Sequence, residues 1–368
     1  MENKEAQYSP FSDMLNLGTQ LAKGAEAISK IKVEDVDVGI TPKQQVMQID
    51  KVTLHHYEPL DGNKPKTEPV LIVYGLIGRY TMIDLQEDRS LVRNLLERGV
   101  DVYVVDWGYA SRADQHLSFD DYVAHYLDEC VNHINEAHGI SKTSILGICE
   151  GGTFSAMYAA KFPEKVKNLI LTITPIDFTA DKNDKNPNNG FINVWTRNLS
   201  NQDINDLIDA FGSLPGELMS SVFQAMTPIR SMTKYNVDLL QITSNDDKLL
   251  NFLRMEKWLA DRPNHPGAAA KQWLIELYKE NSLVEGKFEI EGDPIDLKNI
   301  TMPVLNIYAQ KDHIIPPLCS TELSKYVGTK DYTELSLAGG HVGVYVSSKS
   351  QGIVGDGIYN WLIERQGT

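Results

Sequence analysis

Between Thr143 and Tyr158 the chain runs Thr-Ser-Ile-Leu-Gly-Ile-Cys-Glu-Gly-Gly-Thr-Phe-Ser-Ala-Met-Tyr. Ile145, Leu146 and Ile148 form a short β-branched apolar run that reads as a strand, and Ala156, Met157, Ala159 and Ala160 read as a helix. Gly147-x-Cys149-x-Gly151 joins them, the nucleophile-elbow spacing with cysteine in the serine position. A turn this sharp needs small residues two before and two after its tip, or strand and helix cannot approach. The tip then stands at a helix N-terminus, where the dipole favours an anion and the backbone N–H of Glu150 can meet an oxyanion. A buried cysteine in a Gly-rich turn would share the spacing, so the rest of the chain decides between the two readings.

The flanking segments build a frame for such a turn. Val70–Tyr74 is a continuous apolar run, the pattern of a parallel strand covered on both faces. It ends in Gly75-Leu-Ile-Gly78, a loop whose backbone can supply a second oxyanion N–H, from Ile77 or alternatively Leu76. Residues 45–57 read as one or two antiparallel strands, and Tyr80–Arg98 as a helix closed by Gly99. Asp101–Asp106 and Val166–Thr174 read as strands. Ser118–His138 reads as a long helix, with Ser118 as N-cap, Asp121 three residues on, and Gly139 ending it. Strands and helices alternate, which predicts an α/β fold with a mostly parallel sheet.

From Asp177 to about Asp293 that alternation stops. Helices are expected at Ser200–Phe211, Glu217–Met226, Thr233–Leu240, Lys248–Leu259 and Ala268–Asn281, a mainly helical cap with its own aromatic core. His265, in Arg-Pro-Asn-His-Pro-Gly, reads as a loop residue, and His55 and His56 as structural. Strands return at Met302–Ala309 and Tyr332–Leu337, and residues 350–364 close the chain with a helix. The expected organisation is an N-terminal helical segment over 1–44, amphipathic over 11–32, and a catalytic domain over 45–368 that carries the cap at about 177–293.

Parallel sheets present ligands at the carboxyl ends of their strands. Three such ends carry Cys149, Asp312 and His341, in the order nucleophile, acid, histidine of the α/β-hydrolase sheet. In this reading His341 takes the thiol proton or pairs with the thiolate, and Asp312 orients the imidazole. His313 is a competing base or an accessory to an incoming hydroxyl, and Asp106 and Asp177 are rival acids. A thiolate that attacks a thioester exchanges one thioester for another at little cost, so cysteine here points to acyl transfer more than to hydrolysis.

Composition closes other routes. A net charge of −15 removes the basic face a nucleic-acid binder needs. Three cysteines without regular spacing give neither a disulfide framework nor a zinc pattern, which fits a reducing cytoplasm. The polar, acidic first residues do not read as a signal peptide, and no apolar run reaches membrane-span length. With no metal cluster and no dinucleotide fingerprint in the sequence, no metal or bound cofactor is expected.

The chain resembles the PhaC subunit of polyhydroxyalkanoate (PHA) synthases, most closely the short class III type that works with a PhaE partner. Tyr74–Arg93, Asp106–Tyr109, Gly147–Phe154, Pro175–Phe178, Lys311–His313 and Gly339–Gly343 carry the resemblance, which spans about residue 45 to the end. It implies polymerisation of (R)-3-hydroxyacyl-CoA, chiefly 3-hydroxybutyryl-CoA, with release of CoA. It implies Cys149 as the acylated nucleophile and His341 as its base. It gives Asp312 the task of activating the 3-hydroxyl of the incoming unit, against the orienting role read from position. It also implies a homodimer within a hetero-oligomer at the surface of PHA granules. The long N-terminal domain of single-subunit synthases is missing, which points to the second subunit, PhaE or alternatively PhaR. Two other readings stay open: a cysteine α/β-hydrolase such as a thioesterase or a dienelactone-hydrolase-like enzyme, and a granule-coat scaffold with a vestigial elbow.

Overall fold

The computed structural model describes residues 26, 28–60, 65–182, 190–225 and 245–366. Most of the amphipathic stretch expected over 11–32, the loop at 183–189 and the helix expected at Thr233–Leu240 lie outside the described residues.

Eight strands form one sheet: β1 Lys43–Ile49, β2 Val52–Tyr57, β3 Pro69–Val73, β4 Asp101–Asp106, β5 Thr143–Ile148, β6 Val166–Thr172, β7 Val304–Ala309 and β8 Tyr332–Leu337. Their order across the sheet is β1-β2-β4-β3-β5-β6-β7-β8. From β4 through β8 every pairing is parallel, while β1–β2 and β2–β4 are antiparallel. The stretch 45–57 is thus two strands, turned at Asp50 with φ 51°.

Successive residues of a strand face opposite sides, and the central strands supply an apolar core on each. Leu71, Val73, Val105, Ile145, Leu169 and Leu171 pack with Phe154, Met157 and the aromatic side chains of Tyr122 and Tyr126. Val70, Ile72, Val102, Val104, Leu146, Ile170 and Ile307 pack with Leu91, Leu95, Ile358 and Trp361. This double burial is why β3 reads as an unbroken apolar run, and it leaves every residue of β5 buried.

Two helical readings are corrected. Tyr80–Arg98 is not one helix: a short helical turn, Tyr80–Ile83, leads into a hairpin, Asp84–Gln86 with Arg89–Ser90, and the helix begins only at Leu91. Buried Asp84 explains the break. Its carboxylate accepts from Ser90 Oγ (2.7 Å), Thr41 Oγ1 (2.6 Å) and Thr41 N (3.1 Å), and its carbonyl accepts from Gly39 N (2.7 Å). Those bonds to residues far along the chain outweigh local helix propensity. The helix ending at His138 opens with wider π-helical turns over Asp120–Tyr126. Ser118 and Asp121 bond each other there as a start signal, with Ser118 N to Asp121 Oδ2 at 2.8 Å.

Between β6 and β7 the chain leaves the sheet through helices Phe191–Arg197, Asn201–Phe211, Gly216–Ala225 and Asp246–Ala260, then Gly267–Lys279. Ser213–Leu214 and His265–Pro266 pair as a two-residue ribbon within this inserted segment. Residues 33–38 pack on its helix Asp246–Ala260, with Arg254 Nη2 on Asp35 O at 2.7 Å and Lys257 Nζ on Asp37 at 2.6 Å. Among the described residues no helix is long and apolar enough to cross a membrane.

Candidate active site

The β5 strand delivers Cys149 to the carboxyl edge of the sheet, and the helix Glu150–Lys161 leads away from it. Cys149 has φ 52° and ψ −123°. A side chain at positive φ outside the left-handed well costs on the order of 1–3 kcal/mol and persists only where surroundings impose it. Here Cys149 N donates to Thr172 O at 3.0 Å and Gly152 N to Cys149 O at 2.9 Å, which pins both sides of the turn. The glycine at 151 is forced: a Cβ there would stand 2.2 Å from Val73 O. The N–H of Glu150 opens the helix and has no partner inside it, so it is free to face an anion beside Cys149.

His341 and Asp312 arrive from the carboxyl ends of β8 and β7. His341 Nδ1 lies 2.7 Å from Asp312 Oδ2. Asp312 is buried, and its other oxygen accepts from Ile314 N and Ile315 N, both at 2.9 Å. Three hydrogen bonds therefore fix the carboxylate. The sulfur of Cys149 stands near enough to the imidazole to act on its charge. Burial alone would pull the His341 pKa down, but the charge of Asp312, then that of Cys149, and the hydrogen bond to Asp312 push it up to about 10. The arrangement favours an imidazolium beside the sulfur.

The rival acids are occupied elsewhere. Asp106 is bidentate to Arg79, at 2.6 and 2.7 Å. Asp177 accepts from Tyr326 Oη (2.8 Å) and Asn281 Nδ2 (2.9 Å). His313 is exposed, with its carbonyl taken by Phe191 N at 3.2 Å. Burial, and behind it the charge of Cys149, keeps the phenols of Tyr74 and Tyr278 far above the ordinary range, and burial does the same for Tyr345 against the lowering effect of its hydrogen bond with Thr172.

The loop after β3 differs from the simplest expectation. Leu76 N donates to Glu150 Oε2 at 2.7 Å, and Ile77 N reaches the same oxygen at 3.3 Å. The side chain of Glu150, the residue expected to donate the first oxyanion N–H, thus lies against the loop that carries the second expected donor.

Residues 68–347 match the alpha/beta hydrolase fold family, and residues 9–95 match the N-terminus of poly-beta-hydroxybutyrate polymerase (PhaC). The poly(3-hydroxyalkanoate) polymerase subunit PhaC of Allochromatium vinosum is 42% identical over 355 residues, covering 96% of both chains. That of Synechocystis sp. is also 42% identical over 355 residues, covering 96% of this chain and 93% of its own. That of Thiocystis violacea is 41% identical over 353 residues and covers 96% of both. The chain belongs to the PhaC family. In this PhaC-family chain the sequence reading passed over His265, taken for a loop residue. It is buried, its Nε2 lies 2.7 Å from Glu150 Oε1, and its ring stacks on Trp273. The available signal was an acid, Glu150, placed in a turn otherwise built of small residues.

Proposed function

We propose that this chain is the acyl-transferring subunit of a poly(3-hydroxyalkanoate) polymerase, with Cys149 as nucleophile, His341 as base and acid, and Asp312 as the group that orients His341. The observation that carries it is the pairing of His341 with buried Asp312, Nδ1 to Oδ2 at 2.7 Å, beside the strained elbow residue Cys149. The Cys149 thiolate attacks the thioester carbonyl of (R)-3-hydroxyacyl-CoA. The tetrahedral oxyanion meets the N–H of Glu150 and one from the loop after β3, assigned to Ile77. Its collapse breaks the bond to CoA, whose sulfur takes the proton of His341. Neutral His341 then accepts a proton from the 3-hydroxyl of the next unit as that oxygen attacks the acyl-cysteine. An ester forms and the thiolate returns.

Asp312 is held by two backbone N–H groups and His341, which supports orientation of the imidazole over direct contact with the hydroxyl. Exposed His313 is left an accessory role at most. The segment between β6 and β7 serves as a cap over the sulfur, with Tyr278 as part of its apolar wall. The second subunit is PhaE, with PhaR as the alternative, and the working enzyme contains a homodimer of this chain at the surface of its granule. CoA enters as the leaving group of the substrate.

The purified chain, with and without PhaE, is incubated with 3-hydroxybutyryl-CoA while CoA release and light scattering are followed together. The expected result is CoA release with rising turbidity, much faster with PhaE. CoA release with only free 3-hydroxybutyrate in both preparations would replace polymerisation by thioester hydrolysis.

A further inference from the structure

Glu150 is almost wholly buried beside the nucleophile, and each of its carboxylate oxygens has an assigned task. Oε2 accepts from Leu76 N at 2.7 Å and from Ile77 N at 3.3 Å. Oε1 lies 2.7 Å from Nε2 of His265, itself only 1% exposed. A buried carboxylate is costly unless it is paired and hydrogen-bonded, and this one has both. The loop is shaped around it, because a Cβ on Gly75 would stand 2.8 Å from Oε2 and 2.9 Å from the Cβ of Glu150. Two further contacts from the inserted segment grip the same loop from its carbonyl side: Arg262 Nη1 to Ile77 O at 3.1 Å and Trp258 Nε1 to Arg79 O at 2.9 Å.

The two N–H bonds are unequal, and the inequality has a consequence. A charge-assisted bond of 2.7 Å is strong, whereas a contact of 3.3 Å lies past the favourable range. Leu76 is the anchor and Ile77 is the loosely held member. Rotation of the Ile77 peptide away from Glu150 therefore breaks only the weaker bond, while Leu76 N keeps the loop on the carboxylate.

We propose that Glu150 and His265 are positioning residues: the Glu150 carboxylate, oriented by His265 from the inserted segment, anchors the loop after β3 through Leu76 so that the Ile77 N–H can complete the oxyanion site. The proposal rests on the reading that Cys149 attacks an acyl carbonyl. It adds a coupling between the inserted segment and the elbow, since His265 belongs to the first and Glu150 to the second. Charge on Glu150 is less important than its acceptor geometry. A glutamine can place its amide oxygen toward Leu76 and its NH2 toward His265.

The test separates nucleophile from oxyanion site. Single-turnover acylation of Cys149 is measured with 3-hydroxybutyryl-CoA and with p-nitrophenyl butyrate. Alkylation of the same cysteine by iodoacetamide, which has no tetrahedral oxyanion, is followed by peptide mass spectrometry. In Glu150→Ala, acylation is expected to slow by about tenfold or more, the scale of one lost oxyanion donor, while alkylation stays within about twofold of the parent chain. Glu150→Gln is expected to recover most of the loss. His265→Ala is expected to slow acylation, and the double variant to be no slower than Glu150→Ala, because coupled residues are non-additive. Should Glu150→Ala not fold, His265→Gln carries the same comparison. The proposal is overturned if Glu150→Ala acylates at the parent rate, if acylation and alkylation fall together, or if Glu150→Gln is as slow as Glu150→Ala. Acylation of the parent chain by the nitrophenyl ester but not by the CoA thioester would sink the polymerase reading and leave this one standing.

Discussion

Cys149 sits in a conformation that a cysteine does not choose, at φ 52°, and its main chain is pinned on both sides. The strain is worth on the order of 1–3 kcal/mol and persists only because the surrounding structure imposes it. Replacing Cys149 with Ser is expected to lower CoA release by at least about a thousandfold, in line with loss of a nucleophile that acts as part of a unit. The fold should be retained, with a melting temperature close to that of the parent chain, and near-normal polymer synthesis by that variant would contradict the thiolate mechanism. Asp312→Asn tests the next link. It removes a source of the raised His341 pKa, so the imidazole titration followed by NMR is expected to move down from about 10. The folded pKa lies above the ordinary histidine value of 6.5, so the protonated imidazole contributes stability in full below pH 6.5 and loses that contribution as pH rises to about 10. The stability gap between parent and Asp312→Asn should shrink across that window in denaturant titrations, and a gap that widened with pH would reverse the assignment.

At the scale of elements, the turn from β5 into the helix Glu150–Lys161 sets how close strand and helix come. A Cβ at Gly151 would meet Val73 O at 2.2 Å, and backbone there cannot retreat as a flexible side chain can. Gly151→Ala is therefore expected to cost at least about 1–3 kcal/mol, the range for overpacking, measured by chemical denaturation. A change within about 0.5 kcal/mol would mean that the elbow is looser than its contacts indicate. Legibility divides along the same line. β3 through β7 were readable because both faces of each are buried, and Cys149 and Asp312 stood out because each follows such a strand, whereas His341 follows the half-exposed β8 and stood out by its place in the order nucleophile, acid, histidine. The hairpin at Asp84–Ser90 was not readable, because it is held by Asp84 reaching Thr41 and Gly39, contacts with no local trace. The Glu150–His265 pair joins residues 115 positions apart, one in the elbow and one in the inserted segment. No spacing rule announces such a pair.

For the whole molecule, the sheet order places the elbow strand at its centre and leaves the segment between β6 and β7 free to lie across the carboxyl edge. Helix Asp246–Ala260 and residues 261–266 reach the loop after β3 through Trp258, Arg262 and, by way of Glu150, His265. A growing acyl chain carried on one cysteine is caught by stopping the reaction with 3-hydroxybutyryl-CoA in acid and mass-analysing the peptide that contains Cys149. The predicted result is a ladder of adducts on Cys149, each longer than the last by one 3-hydroxybutyryl unit and absent from Cys149→Ala. Adducts that never exceed a single unit and decay to free 3-hydroxybutyrate, or a ladder attached to another residue, would contradict it.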